Sequence, residues 1–340
     1  MVSSAGAKPQ VLLLGRIEHA HKAWSEIANV ADVVVPKSTD RAGFIEECKS
    51  GAFDGVEIAY RTFESVKISG KVDEELVAVL PQKLRFICHN GAGYDQIDVH
   101  VCTARHIRVS NTPTAVDDAT ADLNIWLMLG ALRNLNVSMG SLREVKWRGN
   151  PVPALGHDPQ GKILGILGMG GIGRNMANKA RAFDMKIRYN NRNRLSEELE
   201  KECGAEYVDF ETLLRESDVL SLNLPLNAHT RHTISKPQFD IMKKGTIIVN
   251  TARGAVMDEK ALVDALNEGR VSSVGLDVFE HEPEVEQGLI DNPNVLLVPH
   301  MGTWTVETQT KMEEWCISNV REALLEGTLR TMVPEQVGML

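Results

Sequence analysis

An apolar run that passes directly into a glycine-rich turn constrains this chain more than any other feature of its sequence. The run KILGIL at 162–167 is followed by GMGGIG at 168–173 and then by a helix-patterned stretch. Gly168, Gly170 and Gly173 have the GxGxxG spacing that allows a tight turn, a close backbone approach to a pyrophosphate and close helix–strand packing. The helix would also present its positive N-terminus to phosphate groups. A glycine turn that binds nothing is the alternative, but the strand–helix context favours a dinucleotide-binding unit.

Short apolar runs alternate with longer helix-patterned stretches along the whole chain, in two sets. Such alternation is typical of parallel strands that are buried on both faces. The sequence therefore predicts an α/β fold with two doubly wound parallel sheets, in a chain of 340 residues that is long enough for two cores. The first set of runs lies at 11–14, 32–35, 55–59, 84–88 and 107–110, and the second at 162–167, 186–189, 218–224, 245–250, 272–278 and 294–298.

The composition argues against several classes of protein. The formal net charge is −9, whereas a nucleic-acid partner would require a basic face. No apolar run approaches the ~20 residues needed to span a bilayer, and the N-terminus does not have the pattern of a signal peptide. Five scattered cysteines, with no CxxC pair and no nearby histidine cluster, predict reduced thiols in a cytoplasmic protein and no metal site.

Polar side chains follow three strands of the second set, just past their carboxyl ends. GTIIVNTARGAV carries Arg253, SSVGLDVFEHEPEV carries Asp277 and Glu282, and NVLLVPHMGTWT carries His300. In an open α/β sheet, ligands bind outside the carboxyl ends of the strands. Taken singly, these residues could be a surface cation, an acid before Pro283 and a loop histidine. Their shared position, downstream of one glycine turn, predicts that they converge on one site.

The residue types match the needs of hydride transfer from a 2-hydroxy acid. The fork of an arginine such as Arg253 can hold a carboxylate and polarise a carbonyl group. A histidine such as His300 can accept the hydroxyl proton near neutral pH. A carboxylate beside it, here Glu282, would orient the ring and stabilise the imidazolium. These three residues are the predicted catalytic set.

The residues and their order resemble the D-isomer-specific 2-hydroxyacid dehydrogenase family. The glycine turn, NTARGAV, GLDVFEHEP, VPHMGTWT and the block NGAGYDQID at 90–98 are similar to its signature blocks, and they cover most of the chain. Within the family the chain resembles the glyoxylate/hydroxypyruvate-reductase-like members, which include a yeast D-mandelate dehydrogenase. The resemblance implies an enzyme that interconverts D-mandelate and phenylglyoxylate. A glyoxylate/hydroxypyruvate reductase and a dinucleotide-sensing, corepressor-like binding protein are the alternatives.

The resemblance also implies an architecture and a partner. It predicts a Rossmann cofactor domain at 112–299, inserted into a flavodoxin-like substrate domain that is formed by 1–111 and 300–340. It further implies a homodimer that associates through the cofactor domain, acting on a small 2-hydroxy or 2-oxo acid.

Residue roles follow from the same resemblance. Arg253 would bind the substrate, His300 would be the acid and base with Glu282 as its partner, and Asp277 would lie on the nicotinamide side of the cofactor. Trp304 could wall an aromatic pocket or pack against the last helix. Further cofactor contacts are expected from Gly171, Ile172, Pro225, Thr251, Ala252 and Gly302.

The turn NGAGYD is expected to bind the substrate carboxylate. The resemblance points to the backbone N–H groups of Ala92 and Gly93, with Asn90 nearby. A glycine turn that merely follows the strand at 84–88 is the alternative.

The stretch RYNNRNR at 188–194 bears on the choice of cofactor. An acid normally stands after the second strand of a dinucleotide-binding unit, where it binds the ribose and repels a 2′-phosphate. Here the positions hold Asn190, Asn191, Arg192 and Arg194 instead. We expect NAD to be the working cofactor, with Asn191 or Asn190 on the ribose and Arg192 nearby, and NADP to be rejected only weakly.

Overall fold

The computed structural model describes residues 8–149 and 152–339, and the chain divides into two compact units. Unit 1 comprises Met1–Val116 and Thr305–Leu340, and unit 2 comprises Asp117–Trp304. The boundaries between the units therefore follow residues 116 and 304, whereas the predicted boundaries follow residues 111 and 299. Each lies five residues later than predicted, because the chain passes from one unit to the other near the start of a helix and not at the end of a strand. His300 and Gly302 therefore belong to unit 2.

Unit 1 is built on five parallel strands in the order β2-β1-β3-β4-β5. This is the strand order of flavodoxin-like folds. Buried apolar clusters cover both faces of the sheet. The strands are β1 (Gln10–Leu14), β2 (Asp32–Val34), β3 (Val56–Thr62), β4 (Phe86–Asn90) and β5 (Arg108–Ser110); the helices are α1 (His21–Val30), α2 (Arg41–Lys49), α3 (Val66–Ser69), α4 (Glu74–Val79) and α5 (Val99–Ala104), with a 3₁₀ turn at Phe63–Ser65.

Unit 2 is built on seven parallel strands in the order β12-β11-β10-β9-β6-β7-β8. From β6 outwards this is the Rossmann order with one strand added, and the order reverses between β6 and β9. The strands are β6 (Ile163–Leu167), β7 (Lys186–Asn190), β8 (Ala205–Tyr207), β9 (Val219–Leu222), β10 (Thr246–Asn250), β11 (Val271–Leu276) and β12 (Val295–Leu297).

The helices of unit 2 cover both faces of its sheet, and two buried apolar clusters lie between the layers. They are α6 (Asp117–Leu132), α7 (Leu135–Arg143), α8 (Gly171–Arg181), α9 (Glu197–Cys203), α10 (Phe210–Glu216), α11 (Lys236–Ile241), α12 (Glu259–Asn267) and α13 (Gln287–Ile290), with a 3₁₀ turn at Gly254–Val256.

The last long helix, α14 (Val306–Glu326), returns the chain to unit 1. The side chain of Thr305 caps its first turn, and Gly327 ends it with a left-handed φ of 65°. Cys316 and Val320 are fully buried on its inner face, in one cluster with residues of β1, β3 and β4. A 3₁₀ turn at Pro334–Gln336 follows.

The predicted fold class is confirmed, and each predicted strand is present within a few residues of its expected bounds. One strand was missed: β8 has only three residues, AEY, at the edge of the sheet, and none of them is fully buried. The apolar pattern that reveals a strand buried on both faces is therefore absent from it.

Other expectations from composition can be set beside the structure. In the part of the chain that the structure describes, no helix is both long and apolar enough to cross a membrane. Within the same residues, no group of three or more His, Cys, Asp or Glu side chains could hold a metal ion. All five cysteines are buried free thiols.

Candidate active site

The glycine turn connects β6 to α8 with the geometry that the motif requires. Gly168 has φ of +97°, and a Cβ there would lie 2.7 Å from the carbonyl oxygen of Asn223. At Gly173 a Cβ would lie 2.4 Å from the carbonyl oxygen of Gly168, so the helix approaches the turn too closely for any side chain. Local geometry at these two positions therefore selects glycine.

The same turn fits the pyrophosphate of a dinucleotide. A Cβ added at Gly170 would meet nothing within 4 Å, so the backbone is open to a ligand there. Gly170 is the N-cap of α8, and no side chain caps this end of the helix. The first N–H groups of α8, from Gly171 and Ile172, add the partial positive charge of a helix N-terminus.

Asn191 and Asn190 follow β7, and the structure changes what each can offer to a ribose. The Oδ1 atom of Asn191 accepts a hydrogen bond from the Met169 N–H at 2.7 Å. The Nδ2 atom of Asn190 donates to the carbonyl oxygen of Val208 at 2.8 Å. The NH₂ group of Asn190 is therefore used in a hydrogen bond within the protein, whereas the NH₂ group of Asn191 remains available as a donor. The oxygen of Asn191 has a second lone pair, so it can still accept a hydrogen bond from a ribose hydroxyl group.

The two arginines of the stretch also differ. Arg194 makes a bidentate ion pair with Glu200, at 2.8 Å from Nε to Oε1 and 2.8 Å from Nη2 to Oε2, and its guanidinium lies over the ring of Tyr207. Arg192 is exposed and has no ion pair among residues 8–149 and 152–339. Of the two, only Arg192 has a guanidinium that is not already paired with a carboxylate.

At the carboxyl ends of β11 and β12, the predicted histidine and glutamate form a hydrogen-bonded pair. His300 Nδ1 lies 2.8 Å from Glu282 Oε2. The other oxygen of Glu282 accepts the Phe279 N–H at 3.0 Å, so two bonds fix this carboxylate. Burial opposes ionisation, but the hydrogen bond and charge of His300, the Phe279 N–H and the charge of Arg253 together lower the pKa of Glu282. Glu282 is therefore an anion at neutral pH.

Asp277 fixes the backbone of the loop that carries His300. Its side chain is 1% exposed, and its oxygens accept the N–H groups of Met301 and Gly302, at 2.5 Å and 2.9 Å. The His300 N–H donates to the Asp277 carbonyl at 2.8 Å, and His300 itself has a left-handed φ of 55°. Burial raises the pKa of Asp277 to about 6, although these donors and the charge of His300 oppose the shift.

Arg253 follows β10 and is half-buried. Its Nη1 atom donates to the Ala252 carbonyl at 2.7 Å, and Asn250 Nδ2 donates to the carbonyl of Arg253 itself at 2.9 Å. Its charge contributes to the lowered pKa of Glu282, after the hydrogen bond and charge of His300 and the Phe279 N–H. The three predicted catalytic residues therefore lie together at one edge of the sheet in unit 2.

The other predicted cofactor contacts also lie at this edge. Thr251 is buried and its Oγ1 atom accepts a hydrogen bond from Asn124 at 3.0 Å, whereas Pro225 is exposed. Asn124, which was not predicted from the sequence, also bonds to Ser221 and lies fully buried on α6. The available signal was a polar residue inside the apolar run of that helix. Trp304 is 67% exposed, so its indole belongs to no core.

Asn90, Ala92 and Gly93 lie in unit 1, at the end of β4. Asn90 is 8% exposed; its Nδ2 atom donates to the Tyr60 hydroxyl at 3.1 Å, while its Oδ1 atom is buried without a partner among the described residues. Ala92 and Gly93 are half-buried. The turn thus presents both polar side-chain and backbone groups.

Comparison with known proteins agrees with this geometry. Residues 125–302 match the family described as D-isomer specific 2-hydroxyacid dehydrogenase, NAD binding domain. A relative named 4-methyl-2-oxopentanoate reductase A from Aspergillus oryzae is 56% identical over 328 residues, which cover 96% of this chain and 98% of that protein.

Two solved structures are similar over nearly the whole chain. A glyoxylate reductase from Paecilomyes thermophila has a TM-score of 0.94 at 52% identity and covers 97% of this chain and 99% of its own. The holo form of D-mandelate dehydrogenase from Rhodotorula graminis has a TM-score of 0.91 at 33% identity, with coverages of 96% and 98%. The chain therefore belongs to the D-isomer-specific 2-hydroxyacid dehydrogenase family, as an oxidoreductase with that family's NAD-binding domain.

Proposed function

We propose that this enzyme interconverts 2-oxo acids and D-2-hydroxy acids through Arg253, Glu282 and His300. The observation that carries the proposal is the pair formed by His300 and Glu282, 2.8 Å apart at the carboxyl edge of the unit 2 sheet. Such an arrangement supplies a proton donor and acceptor with a fixed orientation. The binding protein that only senses a dinucleotide is disfavoured, because the similar proteins are named as reductases and dehydrogenases.

In the proposed mechanism each side chain has a separate task. Glu282 binds Nδ1 of the His300 ring, so that Nε2 exchanges the proton with the substrate oxygen. During reduction, His300 gives this proton to the carbonyl oxygen as that oxygen becomes a hydroxyl group. Glu282 stabilises the imidazolium before the proton leaves. Arg253 binds the substrate and polarises its carbonyl group, for which a planar guanidinium is well suited.

The cofactor would supply or accept the hydride when it is bound. Gly168, Gly170 and Gly173, with the N–H groups of Gly171 and Ile172, are the proposed pyrophosphate site. Asn191 and Arg192 are proposed for the ribose end. The proposed contacts on the nicotinamide side are Pro225, Thr251, Ala252, Asp277 and Gly302.

We propose that NAD is the working cofactor and that NADP is also accepted. The amide of Asn191 carries no negative charge, so it does not repel a 2′-phosphate, and its NH₂ group can donate to a ribose or a phosphate oxygen. Arg192 adds an exposed cation beside it. Arg194 is not assigned to the cofactor, because Glu200 holds its guanidinium at both ends.

For the substrate, two groups of 2-oxo acid have support from similar proteins. The relative at 56% identity is named for 4-methyl-2-oxopentanoate and the structure at 52% identity for glyoxylate, which favours an aliphatic 2-oxo acid. The structure named for D-mandelate is 33% identical, so D-mandelate with phenylglyoxylate is the second candidate pair. We propose that the enzyme prefers an aliphatic 2-oxo acid.

One panel tests this proposal. The purified enzyme is assayed with NADH and NADPH against glyoxylate, hydroxypyruvate, 4-methyl-2-oxopentanoate and phenylglyoxylate, by following the absorbance of the reduced cofactor. The aliphatic acids should give the highest kcat/KM. A higher kcat/KM with phenylglyoxylate would reverse the substrate preference. Cofactor binding without turnover of any 2-oxo acid would contradict the proposed reaction.

We further propose a cytoplasmic homodimer that associates through unit 2. Helix α7 has no buried residue among those described, and it exposes Leu135, Met139 and Leu142 along one face. Val145 and Trp147 continue this apolar surface with exposures of 91% and 72%. Contiguous exposed apolar surface of this kind is typical of an interaction site. Sedimentation equilibrium should give the mass of a dimer, and a monomeric mass would contradict the proposal.

A further inference from the structure

The turn at 91–94 in unit 1 has its carbonyl groups held by the protein. The Thr112 N–H donates to Gly91 O at 3.0 Å, Asn111 Nδ2 to Ala92 O at 2.8 Å, and the Ile97 N–H to Tyr94 O at 2.9 Å. The carbonyl of Gly93 lies 3.0 Å from His89 Nε2. By contrast, the N–H groups of Ala92 and Gly93 have no acceptor anywhere in the described ranges. Both donors are therefore available to an anion.

A buried array of polar side chains lies behind this turn. Arg61, at the end of β3, and His89, on β4, are both 0% exposed. Arg61 Nη1 lies 3.3 Å from His89 Nδ1, and Arg61 Nη2 donates to Gln96 Oε1 at 3.0 Å. A guanidinium can only donate, so His89 Nδ1 must accept. The ring proton is then on Nε2, which donates to the carbonyl of Gly93.

The packing at Gly91 shows how closely the turn fits this imidazole. A Cβ added to Gly91 would lie 2.6 Å from His89 Nε2. The backbone therefore passes against the ring edge that binds the Gly93 carbonyl. A change in the position of the ring would move the turn with it.

The charge of Arg61 is not neutralised by a direct partner. Arg61 has no ion pair within the residues that the structure describes, and its buried Nε atom has no hydrogen-bond acceptor there. Burial lowers the pKa of Arg61 to about 10, partly offset by the charge of Asp95, so the guanidinium stays protonated at neutral pH. A positive charge buried behind two N–H donors that lack an acceptor favours an anion on the turn.

We propose that Arg61 and His89 are positioning residues for the carboxylate of the 2-oxo acid. His89 fixes the Gly93 peptide so that the N–H groups of Ala92 and Gly93 point at the carboxylate, and Arg61 fixes the tautomer of His89 and adds positive potential. This inference rests on the proposed function, the reduction of a 2-oxo acid, and on the expectation that the carboxylate of that acid binds at this turn.

The main test separates substrate affinity from turnover. Arg61→Met should raise the KM of glyoxylate and the inhibition constant of oxamate about tenfold, because the charge and the support of His89 are both lost. The KM of NADH and the kcat at saturating glyoxylate should stay within about threefold of wild type. Arg61→Lys, which keeps the charge, should recover most of the lost affinity.

Two comparisons exclude a merely structural role. His89→Phe should raise the same constants, and the double variant Arg61→Met/His89→Phe should be no worse than the poorer single variant, since the two residues act as one array. Gln336→Met is the matched control: Gln336 is 0% exposed in unit 1 and bonds to Val109, Thr103 and Ile107, outside the turn. It should lower the Tm without raising either constant.

The outcomes are distinct. If the wild-type enzyme reduces 2-oxo acids and Arg61→Met keeps the wild-type KM, the inference is overturned while the proposed function stands. If the wild-type enzyme reduces none, both fall. Should Arg61→Met not fold, hydrogen exchange on the wild-type enzyme decides: adding oxamate with NADH should slow exchange in the peptide that spans 90–94, and unchanged exchange would overturn the inference.

Discussion

Among its described residues, unit 2 contains two histidine–glutamate pairs, and their acids are two positions apart in the sequence. His300 pairs with Glu282 at 2.8 Å, and His232 pairs with Glu280 at 2.6 Å. Both histidines have a left-handed φ, 55° and 51°, so backbone conformation does not distinguish them either. A histidine beside a carboxylate is therefore not by itself a sign of catalysis.

The surroundings of the two pairs are what differ. Glu280 also faces Arg231 at 3.4 Å, and its N–H donates to Glu259. The His232 N–H also donates to the Ala255 carbonyl, so this pair ties the exposed loop at 231–232 to the loop that carries Glu280. These bonds give it a structural role.

The pair of His300 instead lies at the carboxyl end of β12, where ligands of a doubly wound sheet bind. Asp277 fixes its loop, and the charge of Arg253 reaches Glu282. The comparison teaches that position on the sheet and the neighbouring charges separate a catalytic pair from a structural one.

The largest expected effect sharpens this comparison directly. His300→Gln should lower kcat by ~10²–10⁴-fold, which is typical of a lost general acid–base, and leave cofactor binding nearly intact. His232→Gln is the matched control and should change kcat by less than about threefold, since His232 only supports a loop. Steady-state rates and NADH titration measure both. A His300 variant with more than about a tenth of the wild-type kcat would exclude it as the acid and base.

A smaller loss is expected at Arg253, and Arg231 serves as its control. Arg253→Lys should lower kcat/KM for the 2-oxo acid about 10- to 100-fold, because a point charge cannot replace two guanidinium hydrogen bonds. Arg231→Lys, beside the structural pair, should leave kcat/KM close to wild type. Initial rates over a range of substrate concentrations test both variants. Equal behaviour of the two would mean that Arg253 is structural.

The glutamates test whether the pairs differ in their coupling to catalysis. The pKa of Glu282 is lowered in the folded protein, so it is anionic throughout the working pH range and favours the imidazolium. Glu282→Gln removes that charge and with it the stabilisation of the protonated ring. The acidic limb of kcat/KM for oxidation should move down by about one pH unit.

Glu280→Gln is the control for this shift, and it should leave the profile in place. The measurement is the pH dependence of kcat/KM with a D-2-hydroxy acid and NAD. An unmoved acidic limb in Glu282→Gln would show that this pair is not coupled to the proton transfer.

The smallest effect is expected at Asn191, in the loop proposed to bind the ribose of the cofactor. Asn191→Asp keeps an oxygen for the Met169 N–H and adds a charge that repels a 2′-phosphate. The ratio of kcat/KM for NADH over NADPH should rise up to about tenfold. Asn193→Asp, which adds the same charge nearby, is the control and should change the ratio less. A wild-type enzyme that already rejects NADPH strongly would refute our interpretation of this loop.

Much of the fold and the order of the site residues were determined by the sequence. Strands buried on both faces leave continuous apolar runs, and the turn between β6 and α8 requires glycine at Gly168 and Gly173 for local steric reasons. The strand ends that precede Arg253 and His300 are visible in the same pattern. Each of these signals is carried by a few adjacent residues, so no knowledge of distant contacts is needed to detect it.

Only the tertiary structure decided which partner each polar group has. Nothing local distinguishes Glu280 from Glu282 as the partner of His300, Met169 takes the oxygen of Asn191 from 22 positions away, and Glu200 neutralises Arg194. His89 and Gly93 are only four positions apart in the sequence. Arg61, however, lies 28 positions from His89, and its hydrogen bond to Nδ1 determines that Nε2 is the nitrogen that donates to Gly93. Hydrogen bonds and ion pairs are directional and short-ranged, so their pattern depends on where the packed chain brings each group.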